Sequence, residues 1–536
     1  MSNTTKFLII GGGLEGLAIA YSLAERGETD VLVLERDTLC SGMTGKSSGV
    51  VRCHYGTPSL AAMSWYGVDI FTRATELFGD DMAFRQCGYV VGVAENNVKP
   101  LEANIAMMQG LGIATEFIAH DKMAELWPGL HLDDFALFAY EPLGGRGEAY
   151  MAGMAFAATA RKMGVKIRQS TPVVSLLKND SDTVYGVTLK DGSEVHADHV
   201  ILATGPWAPG LAAGVGVDLD VKAQRAQLVL IDQGVPTPEV PVLSDLAGLQ
   251  YICREPNGEL LVGNSDHQTP EYIDPDKYVN RADDAAIEKN IMKLGNRLPD
   301  MPDPRITSSY VGAYDVTPDY NPIIGPSPVD GLFLATGFSG HGFKISPAVG
   351  KMVADLLIDG ETSLPNVDPH DFRYSRFAEG DPLFSLNPYE VQEKCDDPRR
   401  NPNRERHFHG CRYSRGLTFH RIVGQPHTDA VRGRPRQWDD VHTRTLRDPV
   451  REAVCQARPH PGRQAARGGR RRIRRIRRRP HGTGTQGLRP HRDPGRQLLH
   501  PAPVHQARPR DRPLRPPRRR QTMAVRAADH PQGTAS

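Results

Sequence analysis

The chain has 536 residues with 65 basic and 63 acidic side chains, which gives a formal net charge of only +2 at pH 7. It exceeds one ordinary domain, and none of its apolar stretches approaches the roughly 18 residues that a membrane span requires. The near-neutral total is the sum of two unlike parts. Residues 1–393 carry 29 basic and 52 acidic side chains, a balance of −23, whereas residues 394–536 carry 36 and 11, a balance of +25.

Seven cysteines are scattered along the chain, and none of them forms a C-x-x-C pair. This pattern disfavours a zinc site or a disulfide framework and suits a reducing compartment. The first apolar run is only about four residues long, shorter than the core of a signal peptide. We therefore expect a cytoplasmic protein with no metal site and no membrane anchor.

The first motif is KFLIIGGGLEG, residues 6–16. Its apolar run predicts a buried strand over 7–10, and a helix is predicted over 17–26. Between them lie glycines in the spacing G-x-G-x-x-G, which allows a tight turn, a close approach of a pyrophosphate to the backbone, and packing of the helix on the strand. These glycines are Gly11, Gly13 and Gly16.

A second predicted strand, residues 30–34, ends at the acidic Glu35. Its position, about 20 residues beyond the glycines, suits a carboxylate that accepts both hydroxyls of an adenosine ribose. The combination predicts a dinucleotide site, although an ordinary strand-to-helix turn is the alternative.

The segment 39–56, LCSGMTGKSSGVVRCHYG, is rich in Gly, Ser and Thr and is predicted to be a loop that lies against a ligand. Arg52 and His54 add charge beside it. Helices are predicted over 60–78, 151–163 and 283–298, and strands over 88–94, 166–167, 172–177, 184–189, 200–203, 228–231 and 260–263. A strand over 332–335, the glycine-rich TGFSGHGFK and a helix over 346–358 then mirror the opening unit.

Three motifs together resemble the D-amino-acid oxidase and sarcosine oxidase superfamily of flavoproteins, in its sarcosine oxidase, β-subunit-like branch. They are GGGLEG with Glu35, ATGPW at 203–207, and GFSGHGFK at 337–344. The resemblance covers about residues 5–375. It implies an α/β (α+β) fold in which a discontinuous FAD-binding domain, residues 1–84, 146–214 and 315–375, surrounds a mixed-sheet substrate domain, residues 85–145 and 215–314.

The resemblance also implies roles for individual residues. Arg52 would grip a substrate carboxylate, Lys344 would place a second cation near the carboxylate and the flavin, and Tyr314 would form an aromatic wall of the substrate pocket. FAD would be bound by Gly11, Gly13, Gly16, Glu35, Arg36, Thr44, Ser47, Ser48, Val174, Gly205, Gly337, Gly340, His341, Gly342 and Lys344. Ordinary alternatives are a surface ion pair for Arg52, a solvated lysine for Lys344, and loop packing for His54 and His341.

Two departures from the family pattern bear on the cofactor. Gly312 occupies the position of the cysteine that tethers the flavin in monomeric sarcosine oxidases, so FAD is expected to be non-covalent. The strand 260–263, LLVG, lacks the lysine that activates oxygen in those relatives. The sequence therefore leaves two alternatives for the electron acceptor, O2 or an electron carrier.

The function implied is oxidation of the C–N bond of a small amino acid, such as sarcosine, by hydride transfer to flavin N5 and hydrolysis of the imine. Alternatives with the same fold are a glycine or D-amino-acid oxidase and a 2-hydroxy-acid dehydrogenase. Further oxidase subunits are possible partners, because chains of this kind also occur as β subunits.

The segment 394–536 is rich in Arg and Pro, reaches RGGRRRIRRIRRR at 467–479, and is predicted to be disordered. A nucleic-acid-binding arm is one interpretation, but aromatic residues for base stacking are nearly missing. The composition favours another interpretation, in which the family domain ends near Phe384 and a change of reading frame produced the residues that follow. Nucleic acid is accordingly not expected as a partner.

Overall fold

A computed structural model describes residues 4–390 and the strand His420–Arg421. Its strands are β1 Thr4–Ile10, β2 Val31–Leu34, β3 Val50–Val51, β4 Tyr89–Val93, β5 Glu116–Ile118, β6 Leu137–Glu141, β7 Gly145–Arg146, β8 Lys166–Arg168, β9 Val173–Lys178, β10 Val184–Leu189, β11 Glu194–Leu202, β12 Lys222–Asp232, β13 Val242–Asp245, β14 Gln250–Arg254, β15 Leu260–Asn264, β16 Arg305–Val316, β17 Ile323–Pro326, β18 Leu332–Thr336 and β19 His420–Arg421. The remainder of the predicted tail, residues 394–536, lies outside the described residues.

The helices of the described part are α1 Leu14–Glu25, α2 Pro58–Thr72, α3 Ala74–Phe78, α4 Val98–Gly110, α5 His120–Leu126, α6 Ala149–Lys162, α7 Ala208–Ala213, α8 Asp284–Arg297 and α9 Gly342–Ile358. None of these helices is both long enough and apolar enough to cross a bilayer.

The first sheet has the order β17-β18-β11-β1-β2-β8, with β10 and β9 branching from β11. Strand β1 pairs in parallel with β11 on one side and β2 on the other. Its last four residues, FLII, are buried because both faces of this sheet are covered, which is typical of parallel strands. The carboxyl ends of β1, β2 and β11 therefore meet at one edge, which is where such sheets bind ligands.

Helix α1 packs between α6 and α9 on one face of this sheet. Close approach of α1 and α9 depends on Gly350, because a Cβ there would lie 2.5 Å from the carbonyl oxygen of Ala18. The same helices supply much of the largest buried core, including Leu17, Phe156 and Val353. The opening and closing units of the chain are thereby held together.

The second sheet has the order β19-β16-β12-β15-β14-β13-β4-β6-β5 and is mixed. Its pairs are antiparallel except β13 with β4 and β16 with β19. The short ribbon of β3 and β7 lies apart, with Val50 opposite Arg146. Helix α8 contributes Ile287 and Leu294 to the core that covers one face of the second sheet.

The structure confirms the predicted α/β class and most predicted elements, with differences at boundaries. Residues 60–78 form two helices that meet at Arg73, and α9 begins at Gly342 and not at residue 346, so Lys344 lies in its first turn. The two sheets draw their strands from different stretches of the chain. The division into two domains stays a prediction, because sheet membership does not establish independent folding.

The packed chain continues beyond the predicted domain end near Phe384. The segment 383–390, which we call the strap, lies across the loop that carries Arg52. Tyr389 is hydrogen-bonded to His54 Nε2 at 2.6 Å, and Glu390 exchanges two hydrogen bonds with Asn97.

Candidate functional site

A cavity of about 590 Å³ opens at the carboxyl ends of β1, β2 and β11 and extends between the two sheets. Its volume lies within the range of small-molecule and cofactor pockets. Twelve of the predicted site residues line it: Gly11, Gly13, Glu35, Arg36, Thr44, Ser47, Ser48, Val174, Gly205, Tyr314, Gly340 and Gly342. Five predicted residues are not part of its lining: Gly16, Arg52, Gly337, His341 and Lys344.

The glycine-rich turn from β1 into α1 forms a cradle in which Gly11 and Gly16 have no room for a side chain. Gly11 has φ of +110°, and a Cβ there would lie 2.3 Å from the carbonyl oxygen of Ala203. A Cβ at Gly16 would lie 2.0 Å from the carbonyl oxygen of Gly11. Gly16 is therefore a packing residue, and its absence from the lining agrees with the third glycine of the fingerprint.

Glu35 directly follows the last residue of β2 and lies in the wall of the cavity. Its carboxylate accepts hydrogen bonds from the backbone amides of Gly12 at 2.8 Å and Asp37 at 2.9 Å. These bonds hold the carboxylate beside the glycine cradle. Its remaining lone pairs could accept the hydroxyl groups of a ribose bound in this cavity.

Arg36 and Trp207 form one end of the cavity. The guanidinium carbon of Arg36 lies 4.1 Å from the centroid of the Trp207 ring, and Arg36 forms a 3.0 Å ion pair with Asp276. A planar cation stacked on an indole offers a flat surface to an aromatic base.

Arg52 and Lys344 both contact Tyr55, and none of the three is part of the cavity lining. The guanidinium carbon of Arg52 lies 4.3 Å from the Tyr55 ring centroid, and one of its nitrogens donates to the carbonyl oxygen of His54. Lys344 Nζ lies 3.1 Å from the Tyr55 hydroxyl and 3.5 Å from the Gly340 carbonyl oxygen. Within the described residues, neither cation has a carboxylate at ion-pair distance.

The buried position of Lys344 changes its protonation. Burial, followed by the Arg52 guanidinium, lowers the pKa of Lys344 well below its usual range, while Glu15 acts in the opposite direction. A bound anion would raise this pKa again, because an opposite charge favours the ammonium form. The pair therefore has the properties of a carboxylate clamp.

His341 packs beside this clamp. Its Nδ1 lies 3.0 Å from the Tyr55 hydroxyl and its Nε2 lies 3.1 Å from the carbonyl oxygen of Tyr320. Burial, together with Lys344 and Arg52, lowers the pKa of His341 well below its usual value. Both ring nitrogens have partners, so His341 positions Tyr55 as a neutral ring.

Gly337 and Gly340 shape the turn before α9. The amide of Gly337 donates to Asp315 Oδ2 at 2.8 Å, and that of Phe338 donates to the same oxygen at 3.1 Å. A Cβ at Gly340 would lie 3.0 Å from the ring of Tyr314, which lines the cavity as predicted.

Sequence reasoning missed several residues of this site. Glu15 and Lys46 line the cavity, as do Tyr251 and Asp315. Burial raises the pKa of Asp315 to about 6, although backbone amides oppose this. Only Glu15 lies within the glycine motif that the sequence singles out, residues 6–16, although an acid in the first turn of a helix is an ordinary, stabilising feature.

The residues present fit FAD. One cavity contains the glycine cradle, whose space side chains would fill, and the N-terminus of α1 at the end of that cradle. It also contains Glu35, which could bind a ribose, and the flat stack of Arg36 on Trp207. Gly312 lines the same cavity and offers no side chain for covalent attachment.

Comparison with known proteins agrees with this fit. Residues 6–356 match the family of FAD-dependent oxidoreductases. The 4-methylaminobutanoate oxidase (formaldehyde-forming) of Paenarthrobacter nicotinovorans is 31% identical over 69% of this chain and 45% of its own length. Sarcosine oxidase subunit beta of an Arthrobacter species is 27% identical over 70% of this chain and 91% of its own length. The chain thus spans less than half of the first of these relatives.

A solved structure of L-proline dehydrogenase from P. horikoshii superposes with a TM-score of 0.65 at 26% identity, covering 72% of this chain and all of that one. The family match extends over most of the described residues and includes both ends of the cavity. On these findings the chain belongs to the FAD-dependent oxidoreductase family, whose cofactor is FAD.

Proposed function

We propose that this protein oxidises the C–N bond of a small amino acid, with a secondary or N-methylated amine such as sarcosine as the preferred substrate. The observation that carries this proposal is that half-buried Arg52 and buried Lys344 share Tyr55 and have no carboxylate at ion-pair distance within the described residues. An amino-acid substrate supplies that missing carboxylate.

Arg52 is the orienting member of the clamp. A guanidinium can form two parallel hydrogen bonds to one carboxylate, which fixes the plane of the ligand as well as its position. Stacking on Tyr55 and the hydrogen bond to the His54 carbonyl oxygen restrict the side chain before substrate arrives. This restriction lowers the entropy lost on binding.

Lys344 adds charge on the side of the α9 N-terminus. Because its pKa is lowered in the absence of an anion, carboxylate binding is expected to be coupled to protonation of the amine. Holding the carboxylate at two points orients the carbon next to the amine, and orientation is a large part of the rate enhancement available here.

FAD supplies the acceptor for the hydride equivalent that leaves the carbon next to nitrogen. Water then hydrolyses the imine, which for an N-methyl group releases formaldehyde and the demethylated amino acid. No general base is required if the amine binds as the free base.

Relatives support this substrate class. The Paenarthrobacter enzyme is a 4-methylaminobutanoate oxidase and the Arthrobacter chain is a sarcosine oxidase subunit. Mitochondrial dimethylglycine dehydrogenase of Mus musculus is 28% identical over 69% of this chain and 44% of its own length. The proposal also includes further oxidase subunits as partners, either O2 or an electron carrier as the electron acceptor, and a cytoplasmic location.

The test is anaerobic mixing of the FAD-loaded full chain with sarcosine, followed by the visible absorbance of the flavin and by assay of formaldehyde. Loss of absorbance with release of formaldehyde supports the proposal. Glycine, a D-amino acid and lactate serve as comparison substrates, because they would give ammonia or a keto acid instead. Equal bleaching by an N-methylamine without a carboxylate would contradict the clamp.

A further inference from the structure

Glu15 is one of four carboxyl groups in the wall of the FAD cavity, together with Glu35, Asp37 and Asp315. It is the second residue of α1, in the middle of the glycine cradle. Its Oε1 lies against the first residue of α9, since a Cβ built on Gly342 would lie 2.5 Å from it. Its Oε2 is buried and has no hydrogen-bond partner.

The surroundings of Glu15 differ from those of Glu35, the other glutamate of this wall. Glu35 accepts two hydrogen bonds from backbone amides. The buried Oε2 of Glu15 accepts none, and a buried carboxylate oxygen without a hydrogen-bond donor is costly when the group is ionised.

Two ionisable groups act on Glu15 from neighbouring elements, and their effects oppose each other. Asp315 on β16 disfavours a negative charge on Glu15, and Lys344 on α9 favours it. Burial is the largest influence, and it raises the pKa of Glu15 well above its usual value. Glu35 and Lys46 line the same cavity, and neutral His341 precedes α9.

FAD adds negative charge to this environment. Its pyrophosphate is fully ionised at neutral pH, and in folds of this type it binds at the N-terminus of the helix after the glycines. That helix is α1, in whose first turn Glu15 lies. Repulsion between the pyrophosphate and an ionised Glu15 would oppose binding, whereas a protonated carboxyl group could donate a hydrogen bond.

We propose that Glu15 is a cofactor-binding residue that carries a proton when FAD is bound, so that the chain takes up one proton together with its cofactor. The proton comes from solvent and remains on the carboxyl group. FAD binding is consequently strengthened by acid and weakened by base.

The first test is the dissociation constant of FAD measured by flavin fluorescence from pH 6 to 9. For the natural chain we expect the constant to rise by up to about tenfold per pH unit over the interval between the two pKa values of Glu15. The substitution Glu15→Gln mimics the protonated acid and should bind FAD tightly with no such slope. A flat profile for the natural chain would overturn the proposal.

Three variants identify the group responsible. Glu35→Gln should weaken binding at every pH and keep the slope. Asp315→Asn and Lys344→Met should also keep the slope, although each should shift the pH at which the slope is centred. If the slope persists in Glu15→Gln and disappears in Asp315→Asn or Lys344→Met, the titrating group is not Glu15.

The second test does not depend on a variant that folds. Mixing the unloaded natural chain with FAD in weakly buffered solution should remove protons from solvent, up to one per FAD bound, in the pH range where the slope appears. Proton release, or no change in that range, contradicts the proposal. Neither test requires turnover, so failure of the proposed amine oxidation would leave this outcome intact.

Discussion

The side-chain nitrogen of Lys344 lies 3.1 Å from the hydroxyl oxygen of Tyr55, a residue 289 positions earlier in the chain. The same ring supports Arg52 on its face and receives His341 at its hydroxyl. One tyrosine thereby sets the relative positions of both cations of the clamp. Arg52 depends on the ring, and Lys344 depends on the hydroxyl.

Tyr55→Phe should separate these two contributions. It keeps the ring under Arg52 and removes the hydrogen bond to Lys344, and hydrogen bonds to charged groups contribute about 1.5–3 kcal/mol. We expect kcat/KM for a carboxylate substrate to fall roughly ten- to hundredfold. Tyr89→Phe is the matched control, because the Tyr89 ring also faces Arg52, at 5.8 Å. An equal loss in both variants would argue against this role of the Tyr55 hydroxyl.

Removing Arg52 should mainly affect substrate binding. Truncating one member of a buried charge pair costs about 2–5 kcal/mol, so Arg52→Ala should raise KM for sarcosine by roughly thirtyfold or more. Arg52→Lys keeps the charge but loses the planar fork and should recover only part of the affinity. The measurement is steady-state kinetics with sarcosine and with an N-methylamine lacking a carboxylate. An unchanged KM for sarcosine in Arg52→Ala would refute the clamp.

Local features of the fold were predictable from sequence, and the clamp was not. The strand β1, the cradle and Glu35 follow from an apolar run and a glycine spacing that span fewer than 35 residues. Tyr55 had no pattern to distinguish it from a core aromatic, because its partners come from the far end of the chain. Arg52 and Lys344 were assigned through resemblance to a family, and their proximity around one ring is a tertiary property.

One predicted helix boundary is wrong, and the ion pairs at the break are local ones. Residues 60–78 show one helical pattern, yet the helix breaks at Arg73, whose side chain pairs with Asp69 and Glu76 on either side of the break. The strap was missed because side-chain hydrogen bonds such as that of Tyr389 to His54 leave no periodic pattern in the sequence.

Lys344 should make the stability of the unloaded protein depend on pH. Burial lowers its pKa in the folded state, so between that value and the usual value the unfolded chain binds more protons than the folded chain. This contribution to the free energy of unfolding therefore increases as pH rises through that interval. Lys344→Met should remove this pH dependence. The melting temperature of the variant should exceed that of the natural chain at neutral pH, and the two melting temperatures should converge in strong base. Calorimetry at several pH values measures this, and a constant difference would contradict the assignment.

Gly16→Ala should be far more harmful than its single methyl group suggests. The new Cβ would lie 2.0 Å from the carbonyl oxygen of Gly11, so α1 must move away from β1 and open the cradle. We expect a lower melting temperature and a loss of FAD binding. Gly110→Ala is the matched control, because no atom lies within 4 Å of its Cβ position. Similar behaviour of the two variants would show that the cradle tolerates movement of α1.

The ion pair between Arg376 and Asp319 should stabilise the turn before β17. Arg376 donates to Asp319 Oδ2 at 2.8 Å and Oδ1 at 2.9 Å, and both side chains are fully buried. Arg376→Met leaves Asp319 buried without its cation, and breaking such a pair costs about 3–5 kcal/mol. We expect this loss in the free energy of unfolding measured with denaturant.

The double variant Arg376→Met with Asp319→Asn should recover part of that loss, because the uncompensated charge is removed. The backbone carbonyl oxygen of Asn321 accepts a hydrogen bond from Arg376. The neighbouring residue, Tyr320, is hydrogen-bonded through its carbonyl oxygen to His341. Loss of the pair should therefore also loosen His341 and Tyr55. Substrate affinity should fall with stability in Arg376→Met, whereas unchanged affinity in a destabilised variant would show that the clamp is independent of this turn.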